Sequence, residues 1–351
     1  VSGLLVFSYL KSEKSEVITE RVILFSFDKW LLVFLLGMFP IYIKAIVNIV
    51  DNSKLANVNF YLALRHEYVN NGINLGVLDY LNTISVFSFA FVQYKFNFLS
   101  NGQLANRKNI LYKCLFYLVV FAYAFLSTGR TYFVLLLSIY IAFKIISKSI
   151  KKYHIVFASV LVMVIFIANA LILGKGASVD NSASENANSI FNNFTIYFLG
   201  GAYGFNSLMK TDFIFEYGEN VFRFFISVAH ALGITSLQPK ELVMPYITSP
   251  IDSNVYSMYY NYFKDFGYFG LFFNAIWGAL HTFFYCKAKL NFRFLNVCCY
   301  ALLMYPLLMS FFQDQYMSLL STWIQLLFFA IIANFFITHH TKVSVISEER
   351  N

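Results

Sequence analysis

Charged residues are scarce in this chain, and several motifs of soluble enzymes are missing from it. Only 13% of its 351 residues are charged, whereas soluble domains carry about 25%. The sequence contains no GxxxxGKS/T loop, no HExxH pair and no GxSxG elbow. These absences exclude a phosphate-cradling nucleotide loop and the zinc protease and serine hydrolase classes that use the other two motifs.

Cysteine is also rare, and its distribution excludes two further classes. The four cysteines lie in or at the ends of apolar runs, and none lies in the longest polar segment. They form no CxxC metal pattern and no disulfide framework. We therefore expect neither a metal site nor another cofactor.

Long apolar runs dominate what is present. The chain is 59% hydrophobic, with a mean hydropathy of +0.62. Its runs approach the roughly 20 residues that a helix needs to cross a bilayer, and they lack the alternation of a barrel strand. The sequence predicts an all-α polytopic integral membrane helix bundle of about eight to ten transmembrane helices. The spans lie near 30–50, 77–94, 110–127, 131–147, 153–173, 266–286, 296–312 and 318–337.

Basic residues orient these spans. Connectors and tails on one side hold seventeen Lys and Arg residues, and the short connectors on the other side hold three. The richer side is cytoplasmic by the positive-inside rule. A pI near 9.1 is thus explained by topology, and no nucleic-acid partner is expected. Membrane lipid is the expected surrounding of most of the 42 Phe and 25 Tyr side chains, although some could stack on sugars.

The topology divides the chain into three parts. Residues 1–174 are N-terminal membrane helices, 175–265 form one large outer loop, and 266–351 are C-terminal membrane helices with a short cytoplasmic tail. Within the loop, segments 190–209 and 221–236 either both cross the membrane or neither does, and we expect interfacial or re-entrant helices. Because the chain opens on the apolar stretch VSGLLVFSYL, we expect a truncated helix there.

Arg130 is the first candidate for chemistry. It lies in LSTGRTY, a short turn between two spans at the outer membrane boundary. An arginine so close to hydrocarbon is costly and usually faces a cavity or a partner. Its planar fork suits phosphate or pyrophosphate oxygens. The alternative is an anchor that extends to lipid headgroups.

Arg223 and His230 form a second candidate pair in the large loop. They lie seven residues apart, so that a helix would place them on one face. That face would present a cation beside a titratable imidazole. The alternative is an interfacial amphipathic helix, with Arg223 on headgroups and His230 in a structural role.

The end of the loop is dense in polar and aromatic residues. Asp265, followed by FGYFG, stands where the next span begins, and a carboxylate there could act as acid or base. It could equally be the N-cap of that span. The full set of candidates in this stretch is Asp252, Asn254, Tyr256, Tyr260, Lys264 and Asp265.

The motifs STGRTYF and NVYSMYYNYFKDFGYFG, together with the layout of spans and loop, resemble a known family. They are similar to the O-antigen polymerase (Wzy) family, the oligosaccharide repeat-unit polymerases of bacterial surface polysaccharides. The most specific part is the string Asn254…Asp265-Phe266-Gly267…Gly270. The related ligases carry a histidine where this chain has Ser253, which favours a polymerase over a ligase.

The resemblance implies a glycosyltransferase at the periplasmic face of the bacterial inner membrane. Its substrate would be a polyprenyl-pyrophosphate-linked glycan, transferred onto a new lipid-linked repeat unit without nucleotide or metal. Arg130 matches the arginine expected to contact pyrophosphate, and Arg223, Asn254, Tyr256, Tyr260 and Lys264 are expected to bind substrate. The base stays open, with Asp265, Asp252, Glu241 and His230 as candidates in that order.

Three further possibilities remain open at this point. A chain-length regulator protein is a partner that the resemblance allows. An O-antigen ligase would hand the glycan to lipid A. A flippase or transporter of the same lipid-linked oligosaccharide would have a polar path through the bundle and no catalytic carboxylate.

Overall fold

The fold is a bundle of helices closed at one end by a short β-ribbon. A computed structural model describes residues 3–4, 6–7, 19–23, 27–53, 55, 59–69, 75–99, 107–172, 183–210, 214–241, 244, 246–247 and 253–341. The helices are α1 Phe27–Asp51, α2 Phe60–Val69, α3 Tyr80–Tyr94, α4 Arg107–Leu126, α5 Arg130–Ile146, α6 Lys152–Ile172, α7 Ala183–Met209, α8 Arg223–Ala231, α9 Tyr259–Phe266, α10 Phe272–Asn291, α11 Phe294–Met309 and α12 Leu320–Phe335. A π-helical turn covers Lys95–Leu99, and 3-10 turns cover Gly76–Asp79 and Gly267–Leu271.

The ribbon pairs two strands from distant parts of the chain. Strand β1, Thr19–Ile23, runs antiparallel to β2, Ile337–Thr341, with Arg21 opposite His339. It lies just before α1 and just after α12, where it joins these two helices. The sequence did not predict it, because its two halves are more than 300 residues apart and pair through the backbone.

Helix α3 lies at the centre of the bundle. All of its residues from Leu81 to Tyr94 except Ile84 are buried, and it contacts α1, α4, α5, α11 and α12. A helix that is apolar on all sides belongs inside a bundle. Polar groups on α3 are buried as well, and the Asn82 side-chain N–H donates to the Tyr42 hydroxyl at 2.9 Å.

The outer surface of the bundle is apolar as well. Large side chains such as Trp30, Leu118 and Phe272 are at least 60% exposed. Among the described residues, three helical segments have the length and composition to cross a membrane: Phe27–Asp51, Arg107–Leu126 and Tyr259–Asn291. The predicted helical class is thus confirmed, and a helix occupies each of the eight predicted spans.

Aromatic contacts show which helix ends lie together. Tyr305, near the end of α11, lies beside Thr131 and Tyr132 at the start of α5. We call this the loop end, because residues 310–319 and the segments 214–241 and 253–258 also gather there. At the opposite end, Phe98 lies 5.3 Å from Phe292 and 6.2 Å from Phe143 between ring centroids. We call that the ribbon end.

Glycines in α7 attach the large loop to the bundle. A Cβ on Gly201 would overlap the carbonyl oxygen of Phe311, and one on Gly204 would lie 2.8 Å from the carbonyl oxygen of Val255. Ser257 donates its backbone N–H to the Gly201 carbonyl at 3.2 Å, and Met258 donates to Ser310 at 2.9 Å. Backbones of α7, 253–258 and 310–312 therefore meet without side chains between them.

We expect Gly201→Ala to destabilise this junction. The added methyl group must push α7 away from residue 311, and overpacking of this kind costs roughly 1–3 kcal/mol. The thermal unfolding midpoint of the purified protein in detergent should fall. Gly37→Ala in α1 is the matched control, because nothing lies within 4 Å of its added Cβ. An equal fall in both variants would contradict the close-approach argument.

Candidate functional site

The carboxylate of Asp265 is buried at the loop end, beneath the turn that leads into α8. It accepts backbone N–H bonds from Asn220 at 3.1 Å and Val221 at 2.8 Å, and a side-chain N–H bond from Asn220 at 2.6 Å. Asp265 lies in the last turn of α9, so it is not the N-cap of the following span. Its three bonds fix the start of α8 over the end of α9.

A cluster of charges lies next to this anchor. Glu216 accepts bonds from Lys264 at 2.9 Å and from the Asn220 side chain at 2.7 Å. Lys240 lies 3.5 Å from Glu216 and 3.2 Å from Glu219. Burial raises the pKa of Glu216, but the bonds from Lys264 and Asn220 and the charge of Lys240 outweigh it, so the pKa is lowered on balance. The cluster is therefore ionised at neutral pH.

A cleft opens beside this cluster and carries Arg223. The guanidinium Nε donates to the backbone carbonyl of Lys240, and no carboxylate in the described ranges forms an ion pair with it. Burial lowers the pKa of Arg223, although a guanidinium stays charged at neutral pH. The cleft is lined by Asn220, Arg223, Lys240, Glu241, Met244, Asn261 and Ser318.

Asn261 supplies a buried acceptor in the wall of the cleft. Its side chain is 3% exposed, and its Oδ1 accepts no hydrogen bond from the residues that the structure describes. Buried amide oxygens are normally satisfied, and one that is not deserves an explanation. A bound water molecule, or a ligand hydroxyl that reached it, would satisfy it.

The four candidate bases have very different positions. Glu241 lines the cleft, whereas Asp265 lies behind it with its oxygens occupied. His230 is exposed on the last turn of α8, and Asp252 lies outside the described residues. The order expected from the sequence put Asp265 first. The geometry instead favours Glu241.

The expected substrate-binding residues 254–264 belong mainly to the structural support of the cleft. Tyr256 and Tyr260 are buried, with ring centroids 4.2 Å apart, in a small core with Leu208 and Phe263. Burial raises the pKa of Tyr256 to about 12. A stacking platform for a sugar would have to be exposed, and these two rings are not.

The other two expected binding residues differ from the tyrosines. Lys264 is held by Glu216, and its Nζ lies 5.6 Å from the centroid of the Tyr260 ring. Asn254 is half-buried in the segment that adjoins α7. Neither lines the cleft, so that Arg223 alone of the predicted binding residues does.

Arg130 lies at the loop end but outside the cleft lining. It is half-buried in the first turn of α5, after a turn in which Thr128 adopts a φ of 55°. Arg65 Nη1 donates to the Thr128 carbonyl at 3.4 Å. Arg65 from α2 thus contacts the turn that immediately precedes Arg130.

Asp314 is a buried acid that the sequence analysis missed. It is 1% exposed, and its Oδ1 accepts bonds from the Tyr262 hydroxyl at 3.1 Å and from Tyr316 N–H at 3.0 Å. Trp277 donates to the Tyr262 hydroxyl at 3.0 Å and stacks on Tyr316 at 4.4 Å. The network joins the turn 314–318 to α9 and α10. The sequence did carry one signal for Asp314, because it is an acid in the very short connector between the predicted spans 296–312 and 318–337.

No protein-family profile, curated protein or solved structure matches this chain. The resemblance noted from the motifs therefore stays a prediction.

Asp314 gives a prediction about pH. Burial raises its pKa to about 6, against the hydrogen bonds that it accepts, whereas an unfolded aspartate titrates near 3.9. A raised folded pKa favours the protonated form in the folded state. The contribution of Asp314 to the free energy of unfolding is therefore fully present below about pH 4 and is lost as the pH rises to about 6.

We expect this loss to be visible against Asp314→Asn, which cannot ionise and keeps one acceptor oxygen. The stability of the wild type minus that of the variant should fall between about pH 4 and 6 and stay level above. Denaturant midpoints in detergent at each pH measure the difference, and subtraction removes the effects of all other groups. Parallel curves would contradict a raised pKa.

Proposed function

We propose that this protein is a polytopic membrane glycosyltransferase that polymerises polyprenyl-pyrophosphate-linked oligosaccharide repeat units. It would act at the periplasmic face of a bacterial inner membrane, with the loop end outward. The observation that carries the proposal is the cleft at this end, where Arg223 and Lys240 meet Glu241 and the unsatisfied Asn261 oxygen.

The topology supports this orientation. Lys95, Lys144 and Lys151 lie at the ribbon end, and the basic connectors of that end are the ones that the positive-inside rule assigns to the cytoplasm. Helix α8 has nine residues, too few for the roughly 20 needed to cross the bilayer. Because segments 190–209 and 221–236 must either both cross the membrane or both stay outside, both would lie on the outer side. Helix α8 would then lie in the membrane interface.

The charges of the loop end suit the two halves of the proposed substrate pair. The turn that precedes Arg130, and whose Thr128 carbonyl accepts a bond from Arg65, would suit the pyrophosphate of a lipid carrier, since one guanidinium can bind two such oxygens at once. The cleft is lined by the Glu241 carboxylate, the amides of Asn220 and Asn261 and the cations Arg223 and Lys240, a set that suits sugar hydroxyls. Both lie at the same end of the bundle.

The chemistry requires little more than these groups. The hydroxyl oxygen of the acceptor sugar would attack the anomeric carbon of the donor glycan, and the bond from that carbon to the pyrophosphate oxygen would break. Polyprenyl pyrophosphate would leave with the bonding electron pair, stabilised by arginine. The hydroxyl proton would pass to the Glu241 carboxylate, acting as general base.

The first test is deletion of the gene and complementation with arginine variants. A polymerase deletion should remove the lipopolysaccharide ladder on a gel and leave single repeat units on the core. Arg130→Ala and Arg223→Ala should fail to restore the ladder, and Arg130→Lys should restore little of it because it lacks the fork. Arg107→Ala, at the exposed start of α4 on the ribbon end, is the matched control.

The other outcomes of this test are also informative. Loss of every repeat unit, with lipid-linked polymer accumulating, would point to the ligase. Loss of every repeat unit with unpolymerised carrier accumulating would point to the flippase. An unchanged ladder in the deletion strain would overturn the proposed substrate class.

A second test separates the base from the structural acids. Glu241→Gln keeps the shape of the side chain and removes its basicity, so polymerisation should fall by about 100-fold or more. The protein level and unfolding midpoint should not change, because Glu241 is exposed. Glu185→Gln, an exposed acid near the start of α7, should leave the rate unchanged. Full activity of Glu241→Gln would remove Glu241 from the mechanism.

A further inference from the structure

Two polar side chains that line the cleft, Asn261 and Ser318, come from distant parts of the chain. Asn261 belongs to α9, and Ser318 belongs to the short connector 310–319 that precedes α12. Ser318 is half-buried and lines the same cleft as Asn261. A tertiary contact must therefore hold α9 and the connector in place relative to each other.

The carboxylate of Asp314 supplies this contact. Its Oδ1 accepts the hydroxyl of Tyr262, the residue that follows Asn261 in α9, at 3.1 Å. Its Oδ2 accepts the Ser318 hydroxyl at 3.5 Å, and the carboxylate also accepts the Ser318 backbone N–H. Asp314 is 1% exposed and does not line the cleft. It therefore supports the lining from behind.

Aromatic side chains hold this carboxylate in position. Tyr316 donates its backbone N–H to Asp314 at 3.0 Å, and its hydroxyl lies 2.8 Å from His281 Nε2. Trp277 stacks on Tyr316 with ring centroids 4.4 Å apart and donates to the Tyr262 hydroxyl at 3.0 Å. A buried network of this kind is rigid. The carboxylate therefore has little freedom to turn away from Ser318.

The charge of Asp314 decides which way the Ser318 hydroxyl points. Burial raises the pKa of Asp314 to about 6, so this group is ionised at neutral pH, and an ionised carboxylate only accepts hydrogen bonds. The Ser318 proton is then committed to Asp314, and the lone pairs of Ser318 Oγ are left for a ligand. Asn261 Oδ1 is likewise an acceptor without a donor among the described residues. Both oxygens suit a ligand group that donates, such as a sugar hydroxyl.

We propose that Ser318 accepts a hydrogen bond from a hydroxyl group of the acceptor sugar, and that Asp314 is the positioning residue that orients Ser318 for this role. The proposal rests on the proposed transferase function and adds to it a binding residue and the support of that residue. Ser318 binds the sugar both before and during the transfer, so it contributes to substrate affinity more than to the chemical step. Glu241 keeps its part as base.

Steady-state kinetics of the full chain in lipid vesicles test the role of Ser318. The substrate is the lipid-linked repeat unit extracted from a polymerase-deficient strain, at neutral pH. Ser318→Ala should raise KM by about three- to ten-fold, as the loss of one hydrogen bond predicts, with little change in kcat. Ser318→Thr keeps the hydroxyl and should keep KM. Ser321→Ala, at an exposed position in the first turn of α12, is the matched control and should also keep it.

A double-mutant cycle tests the role of Asp314. Asp314→Asn keeps an acceptor oxygen for Tyr262, but its amide N–H donates toward Ser318 and turns the hydroxyl proton into the cleft. This variant should raise KM by a similar factor, and in a Ser318→Ala background it should raise KM no further. A purely structural Asp314 would instead lower the active fraction, and with it the apparent kcat, in both backgrounds. Independent effects of the two substitutions on KM would contradict positioning through Ser318.

The outcomes separate this proposal from the function on which it rests. An unchanged KM in Ser318→Ala, beside a wild type that polymerises, would remove Ser318 from the binding site and leave the transferase function standing. Equal rises in KM for Ser318→Ala and Ser321→Ala would also overturn the assignment, because the effect would not be specific to the cleft. A wild type that forms no polymer from these units would overturn the transferase function and this proposal with it.

Discussion

The close contact of three backbones at the Gly201–Gly204 face of α7 is the constraint on which the loop end depends. A chain with apolar side chains on most surfaces gains little from burying more of them when lipid surrounds it, since lipid is as apolar as leucine. Attachment there must come from close packing and hydrogen bonds. The bonds Ser257 to Gly201 and Met258 to Ser310 supply these, and a side chain at Gly201 would prevent them. The segments that carry the cleft are attached to the bundle through this junction.

The acids of the loop end divide into structural and chemical groups according to what they accept. Asp265 and Asp314 are buried and accept backbone N–H groups of turns, which would otherwise be unsatisfied. Each carboxylate accepts the N–H bonds that a backbone carbonyl would accept in a helix or strand. Each also joins segments that are far apart in sequence. Glu241 is exposed and lines the cleft with Arg223. The oxygens of Asp265 and Asp314 are buried behind the cleft and already bonded, whereas the Glu241 carboxylate can be reached from it, and this difference in access favours Glu241 as base.

The helices could be predicted from the sequence because their cause is local. Each predicted span is an apolar run of about the required length, and each became a helix. Asp265 illustrates what is not local, since its donors Asn220 and Val221 precede it by 45 and 44 residues. Nothing in the spacing of residues 254–270 indicates this pairing. The break after α9 has a local cause, because Gly267 adopts a φ of 58°.

The candidate site was predictable in its location and less so in its members. The sequence placed chemistry in the outer loop and selected Arg223 and Glu241, both of which line the cleft. It also selected Tyr256 and Tyr260, because aromatic residues near a membrane suit either a sugar platform or a core. Only burial distinguishes the two roles, and it assigns these rings to the core. Asn261 carried no signal, since an unsatisfied oxygen is a property of the folded surroundings.

Lysines at the two ends of the bundle differ in whether they have carboxylate partners, and this difference bears on the orientation of the protein in the membrane. At the loop end Lys264 is paired with Glu216, and Lys240 is paired with Glu216 and Glu219. At the ribbon end Lys95 is matched with Asp28, whereas Lys113 and Lys144 have no carboxylate partner among the described residues. A cation without a partner resists transfer across the bilayer more than a paired one does, because its charge must be desolvated alone. This agrees with the orientation proposed above, in which the ribbon end stays on the side of synthesis and the cleft faces the opposite side.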